Sequence, residues 1–294
     1  MANLKEVRNR IGSVQSTQQI TKAMKMVSAA KLRRATDAIV QMRPYATKLR
    51  ELLENLSSTM DGDAGTEYTV VRPVNKVLIV AITSNRGLCG AFNANVIREV
   101  NKFAKDKYAA QSKAGNMKVL CIGKKASDVF GKNKSLFAGH NNEVYADLTY
   151  VNVAAIAQNI MDTFAKGEYD RVEVIYNQFK NAGIQILTTE QLLPIEPPTT
   201  SGKKATNTDY IFEPSKEEIV TDLIPRSVKV QLFKAILDSH ASEHGARMTA
   251  MNKATDNAAE LLKALKLSYN KARQAAITNE ILEIVGGANA LKGK

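Results

Sequence analysis

The chain of 294 residues has no tryptophan, two cysteines, three histidines and only 6% aromatic residues. Cys89 and Cys121 are about thirty residues apart with no C-x-x-C pairing, which excludes a disulfide scaffold, suits a reducing compartment and reads as two plain buried thiols. Sparse aromatics with no stacking platform among the basic residues argue against a single-strand nucleic-acid binder. No run of about 18 apolar residues occurs, so no segment reads as a membrane-spanning helix. Residues 1–11 alternate charge with isolated aliphatics, unlike the apolar stretch of a signal peptide or the character of a transit segment. Any membrane link is therefore expected to be peripheral.

Basic residues, by contrast, are plentiful. Lysine and arginine number 41 against 29 acids, a formal charge of +12, and 44% of residues are hydrophobic. This composition belongs to one large or two ordinary globular domains with an acidic partner in prospect: protein, nucleic acid or anionic lipid. Residues 1–56 alone hold eleven bases and four acids, so most of the excess lies on one segment.

That segment has helical periodicity. Leu4, Val7, Ile11 and Val14, then Ile20, Met24 and Val27, recur at steps of three and four. The pattern resumes, offset, at Leu32, Ala35, Ile39, Met42, Ala46, Leu49, Leu53 and Leu56, which reads as a stutter in a coiled coil. Pro44 predicts a bend near residues 41–43. At the other terminus Ala241, His244, Met248, Met251, Thr255, Ala258, Leu262, Leu265, Tyr269, Ala272 and Ala276 alternate by threes and fours over about five heptads. A helix over 227–285 would be about 90 Å long, so an antiparallel pairing of the two terminal helices is expected, with Gly286-Gly287 ending the second.

The middle has a different pattern. Residues 76–83 form an aliphatic run of strand length before a loop (84–90) and a helical stretch (93–108), the start of a βα unit. Residues 119–122 read as a second strand, 124–131 as a turn and short helix, 151–166 as a helix. Residues 171–179 and 184–193 read as an antiparallel hairpin around Gly183, and 61–65 and 196–209 as loops. The fold class is therefore α/β: a long antiparallel coiled coil of N- and C-terminal helices plus a central layered, Rossmann-like α/β domain with a mixed sheet. Its parts are 1–60, 61–214 with linkers, and 215–294.

Four motifs bear on chemistry. His240, Glu243 and His244 spell H-x-x-E-H, a zinc-hydrolase pattern, but His244 falls on the coiled-coil seam, where no pocket would exclude water. Gly87-Leu88-Cys89-Gly90 occupies the place of a phosphate loop without matching either glycine-rich fingerprint, and reads better as a tight structural turn. Lys22, Lys25, Lys31, Arg33 and Arg34 lie in a stretch, 21–36, that contains no acid, as suits docking on an acidic surface. Arg273, Gln274 and Thr278 cluster on an alanine-rich helix, as suits directional hydrogen bonds to a partner. A basic coiled-coil nucleic-acid-binding protein is the second reading that this composition permits.

Several of these stretches carry a resemblance. Gln19-Ile20-Thr21-Lys22-Ala23-Met24 with Lys31-Leu32-Arg33, and Asn85-Arg86-Gly87-Leu88-Cys89-Gly90 with Phe92-Asn93, are similar to motifs of the γ subunits of bacterial F-type ATP synthases. So are residues 246–258 and 269–288, the latter opening Tyr269-Asn270-Lys271-Ala272-Arg273-Gln274. The resemblance implies a non-catalytic rotor shaft inside an α3β3 hexamer, coupling ion flow to ATP turnover on β. It implies no cofactor and no metal, no nucleic acid, and partners α, β, ε and the c-ring, with membrane association only through the complex on the cytoplasmic face of the inner membrane. It further implies β-subunit contact by Met24, Lys25, Arg273, Gln274 and Thr278, and a bearing tip with Ile281, Ile284, Val285 and Ala288. Tyr210, Phe212 and Glu213 would meet the c-ring and ε. The 196–209 stretch diverges and holds no cysteine pair, so no thiol switch is expected.

Overall fold

A computed structural model describes residues 4–58, 67–195 and 216–292. In chain order its elements are α1 (Leu4–Ser58), β1 (Val77–Ile82), α2 (Phe92–Lys105), α3 (Ala109–Lys113), β2 (Met117–Ile122), α4 (Lys124–Phe130), β3 (Phe137–His140), a 3-10 turn (Asn142–Tyr145), α5 (Tyr150–Ala165), β4 (Arg171–Phe179), β5 (Gln185–Leu193) and α6 (Lys216–Lys292). They form two compact units, one of Met1–Ser28 with Met248–Lys294 and one of Ala29–Arg247.

The larger unit contains the sheet, ordered β3-β2-β1-β4-β5. β1 pairs in parallel with β2 and β4, whereas β5 returns antiparallel along β4 as the hairpin pattern requires. Every residue of β1 is buried, which explains its unbroken aliphatic run. Strand alternation divides that run: Leu78, Val80 and Ile82 enter a core with Val153, Phe164 and Leu232, and Val77, Ile79 and Ala81 enter one with Val96, Val119 and Phe130. The sheet is thus covered on both faces. α1 and α6 meet in the same unit through Ala35, Ile39, Leu237 and Ala241, a cluster of small and branched side chains.

In the smaller unit α1 and α6 form an antiparallel pair, with the hydroxyls of Thr21 and Thr255 2.9 Å apart and the Lys25 ammonium on the Asn252 side-chain oxygen. The α6 seam follows the expected heptads, since Met251, Thr255, Ala258, Leu262, Leu265, Tyr269, Ala272 and Ala276 are all buried or half-buried.

The α1 seam does not follow the aliphatics. Gln18, Thr21, Lys25 and Ser28 continue the steps of three and four from Val14 to Leu32 without a stutter, and Ile20 and Val27 face outward at 60% and 57% exposure. The apparent offset arises because polar side chains fill the seam, Thr21 and Lys25 bonding across it and Ser28 to the Met24 carbonyl of its own helix. α1 continues through Pro44, as the seam beyond the proline requires, and α6 through Pro225. Three further differences emerge. Gly286 and Gly287 keep right-handed backbone inside α6, which runs on to Lys292 because neither adopts the left-handed cap conformation. The helix after the first turn stops at Lys105, with α3 a separate short piece. His140 lies on β3, a strand too short and too poor in β-branched residues to read as one from the sequence. Both cysteines are buried thiols, with burial raising the Cys121 thiol to about 12. The expected loops at 61–65 and 196–209 lie outside the described residues.

One glycine has a stringent steric role. Gly123 joins β2 to α4 at φ +108°, and a Cβ there would be 2.1 Å from the Thr83 carbonyl oxygen. Gly123→Ala is expected to lower the unfolding free energy by about 3 kcal/mol, strain and backbone displacement together, as measured by urea denaturation.

Candidate functional site

The first place to look for chemistry is the crevice where the strand order reverses, between β1 and β4, since open α/β sheets bind ligands there. Here the chain's own side chains occupy it. The Ser84 backbone N–H donates to the Asn93 Oδ1 at 2.9 Å, the Ser84 hydroxyl donates to the Arg86 carbonyl at 2.6 Å, and the Asn93 amide reaches the Cys89 sulfur at 3.2 Å. Asn85 ties the turn sideways, accepting from the Lys124 N–H and donating to the Asn142 carbonyl, each at 2.9 Å. Leu88 takes a positive φ of 64° at the tip, 64% exposed. The Arg247 guanidinium, from α6, donates to the carbonyls of Arg86 at 3.1 Å and Gly87 at 3.3 Å. A phosphate loop offers N–H groups to an anion, whereas this turn offers carbonyls to a cation, so its glycines serve the structural turn.

The H-x-x-E-H residues belong to the same cluster. Glu243 accepts a 2.6 Å ion pair from Arg247, and both are buried. His240 and His244 have their Nε2 atoms 3.2 Å apart, so one nitrogen donates to the other, and His240 stacks on Tyr145 at 5.9 Å. Burial, with the charges of Lys31 and Arg247, lowers His240 to about 4. Burial, then His240 and Arg247, lowers His244 to about 3. With the glutamate held by an arginine and the imidazoles bonded to each other, the motif is accounted for as internal packing. Among the described residues no three His, Cys, Asp or Glu side chains converge as metal ligands.

The second place is the end of α6 in the smaller unit. Arg273, Gln274 and Thr278 are all exposed, and the Thr278 hydroxyl donates back to the Gln274 carbonyl at 2.9 Å. Past Ala276 the seam stops, and every residue from 277 to 289 is exposed. Ile281, Ile284, Val285 and Ala288 are among them, Ile284 at 70%. Met24 is half-buried, and Lys25 is engaged with Asn252. Sequence reasoning placed Ile20 and Val27 inside, yet they form an outward apolar stripe seven residues apart. A heptad assigned through Thr21 and Ser28 would have found them. Tyr210, Phe212 and Glu213 lie outside the described residues.

Comparison with known proteins matches this architecture along the whole chain. The family described as ATP synthase matches residues 3–291. The chain is 66% identical to the ATP synthase gamma chain of Flavobacterium psychrophilum and 64% identical to that of Flavobacterium johnsoniae, covering all of both chains in each case. Among solved structures it is similar to a chain of the central stalk/c-ring structure of the Tetrahymena thermophila mitochondrial ATP synthase, at 28% identity and TM-score 0.60, over 80% of this chain and 99% of that one. A chain of the Euglena gracilis mitochondrial enzyme in rotational state 3 has the same fold, with TM-score 0.71 at 23% identity over 98% and 94% of the two chains. Similarity of this extent defines the class as a coupling subunit of a rotary ATPase. The chain belongs to the ATP synthase family, among its γ chains.

Two tests concern the buried cluster. Arg247→Ala strands the Glu243 carboxylate, and about 3–5 kcal/mol of stability should be lost in chemical denaturation, against less for Arg247→Ala with Glu243→Ala. The histidines also set a pH dependence. Their folded-state pKa values lie below 6.5, so the unfolded chain binds more protons, and stability falls as pH drops from about 6.5 toward 4. Glu243, raised by burial, acts in the opposite sense, so the histidine contribution is read by difference. His240→Asn with His244→Asn should flatten the decline between pH 6.5 and 5, and an unaltered profile would remove the pair as its cause.

Proposed function

We propose that this chain is the central-stalk rotor of an F1Fo ATP synthase, whose rotation inside an α3β3 hexamer couples transmembrane ion flow to ATP synthesis or hydrolysis on β. Its partners are α, β, ε and the c-ring, and it performs no chemistry itself. Residues 1–60 and 215–294 supply the shaft and 61–214 the body. Association is peripheral, through the complex, at the cytoplasmic face of the inner membrane. No helix among the described residues is long and apolar enough to cross a bilayer.

The observation that best supports this reading is the end of α6. Thirteen consecutive helical residues beyond Ala276 are exposed, with isoleucine and valine among them, next to exposed Arg273 and Gln274. Such a surface requires a sleeve, and in this role Ile281, Ile284, Val285 and Ala288 turn in it as a bearing. Arg273, Gln274 and Thr278, with Lys25, make polar contacts to β that are made and broken with angle, and Met24 meets β beside them. A surface that grips at a few directional groups and is otherwise small suits sliding better than a wide adhesive one. Tyr210, Phe212 and Glu213 are assigned to the foot, against the c-ring and ε. Coupling is then the free-energy exchange between shaft angle and the nucleotide state of β, reciprocal by linkage.

Co-expression with α and β from the same source tests the proposal: one copy should join each hexamer, and sustained ATP hydrolysis should depend on it. Failure to form a complex would overturn the reading. Salt-sensitive binding of DNA in its place would favour the nucleic-acid alternative. Within the assembled complex, Arg273→Ala with Gln274→Ala removes hydrogen bonds worth about 1 kcal/mol each, so turnover should fall about thirtyfold with assembly intact. Unchanged turnover would remove these two residues from the mechanism.

A further inference from the structure

We propose that a cleft on the larger unit receives an acidic amphipathic helix of a partner polypeptide, anchored there by a large apolar side chain. The cleft measures about 730 Å³ and lies between α1, the start of α5 and the early part of α6. α1 contributes Met42 and Tyr45, α5 contributes Tyr150, and α6 contributes Pro225 and Phe233. Tyr150 packs edge-on against Phe233 at 5.7 Å, which fixes its ring. Even so, Tyr45 stays 47% and Tyr150 39% exposed, so aromatic surface of the kind that anchors interfaces is left in water.

The charge of the cleft selects the occupant. Arg226 and Lys229 line it one helical turn apart, and neither is ion-paired to a carboxylate among the described residues. Asp222 is the single acid of the lining. Three helices bound the space, the geometry that receives the apolar face of a fourth with anchors at i, i+3 and i+4. Two cations against one acid suit spaced carboxylates on a helix rim rather than a continuous phosphate backbone. The cleft involves none of residues 273–288, so it is independent of the shaft contacts.

The absence of tryptophan from the chain makes the test direct. Two synthetic peptides of about 14 residues would share one leucine face with a single tryptophan and carry either glutamate or lysine on the other face. Titrated with the purified full chain, the glutamate peptide should show a blue-shifted indole emission and bind at least about tenfold more tightly than the lysine peptide. Arg226→Glu with Lys229→Glu should reverse that preference, and Tyr45→Ala with Tyr150→Ala should weaken the glutamate peptide at least about tenfold. Val129→Ser, on α4 and outside the cleft lining, should leave the binding of both peptides unchanged. If circular dichroism shows the tyrosine variant unfolded, Ala154→Arg, which obstructs the same cleft, replaces it. Equal binding of both peptides, indifference to the charge reversal, or a concentration-dependent dimer lost on Tyr150→Ala would each overturn the proposal, the last assigning the cleft to a second copy of the chain. Hydrolysis by the α, β complex bearing Arg226→Glu and Lys229→Glu, measured in parallel, keeps the failure of this inference distinct from failure of the rotor reading.

Discussion

The larger unit is organised around a helical stretch that is polar and nevertheless buried. Between Asp238 and Arg247, α6 turns Asp238, Ser239, Ser242, Glu243, His244 and Arg247 inward, all less than a tenth exposed. Hydrophobic burial is non-directional and would tolerate a helix sliding along its bed, whereas buried polar groups demand particular partners. Arg247 finds two carbonyls of the turn after β1, and Arg43 reaches both Asp238, at 3.6 Å, and the Phe179 carbonyl, at 3.2 Å. Shifting α6 by one turn would break the Arg247 and Arg43 contacts at a cost of a few kcal/mol each, whereas the buried Ser239 and Ser242 hydroxyls hydrogen-bond to nothing among the described residues and set no register. The register of α6 against the sheet is therefore set by polar contacts and filled in by apolar ones. The same contacts close the crevice at the strand reversal, so one feature both aligns the helix and occupies the fold's customary ligand site.

The same helix behaves differently in its later half. From Met251 to Ala276 its seam is methionine, threonine, alanine, leucine and tyrosine, held to α1 by the Thr21–Thr255 and Lys25–Asn252 contacts. Soft and small side chains allow close approach with little interlocking, and methionine in particular repacks easily. A rotor needs both characters: a segment that cannot slip against its body, and one that accommodates twist without losing its partner.

How much of this could be read from the residues follows the physics of each element. The strands β1, β4 and β5 were legible because burial on two faces, or alternation on one, leaves a periodic trace, and the α6 heptads were legible for the same reason. The α1 seam escapes a hydropathy reading where Gln18, Thr21 and Ser28 take hydrophobic positions: Thr21 bonds across to Thr255 and the Ser28 hydroxyl bonds to the Met24 carbonyl of its own helix, and neither leaves a mark in a hydropathy pattern. β3 was missed since four residues containing a glycine carry almost no signal. The H-x-x-E-H residues illustrate the converse: local spacing matched a metal site, and only the tertiary neighbours Arg247 and Tyr145 reveal an internal polar cluster. Arg273, Gln274 and Thr278 were found as an exposed group because a polar patch on an alanine-rich helix stands out. The cleft around Tyr45, Tyr150 and Phe233 was invisible, being assembled from three distant segments.

The exposed end of α6 bears on how such a protein is made in a cell. A newly synthesised copy that has folded but found no partner carries a helix with five large aliphatic side chains in water between Ile277 and Val285. An apolar surface of this kind is a nucleus for self-association. The orphan subunit is thus its own hazard, and its safe concentration is set by how quickly partner chains are supplied. Balanced synthesis, with partner chains closing around a shaft already present, follows from these exposed side chains.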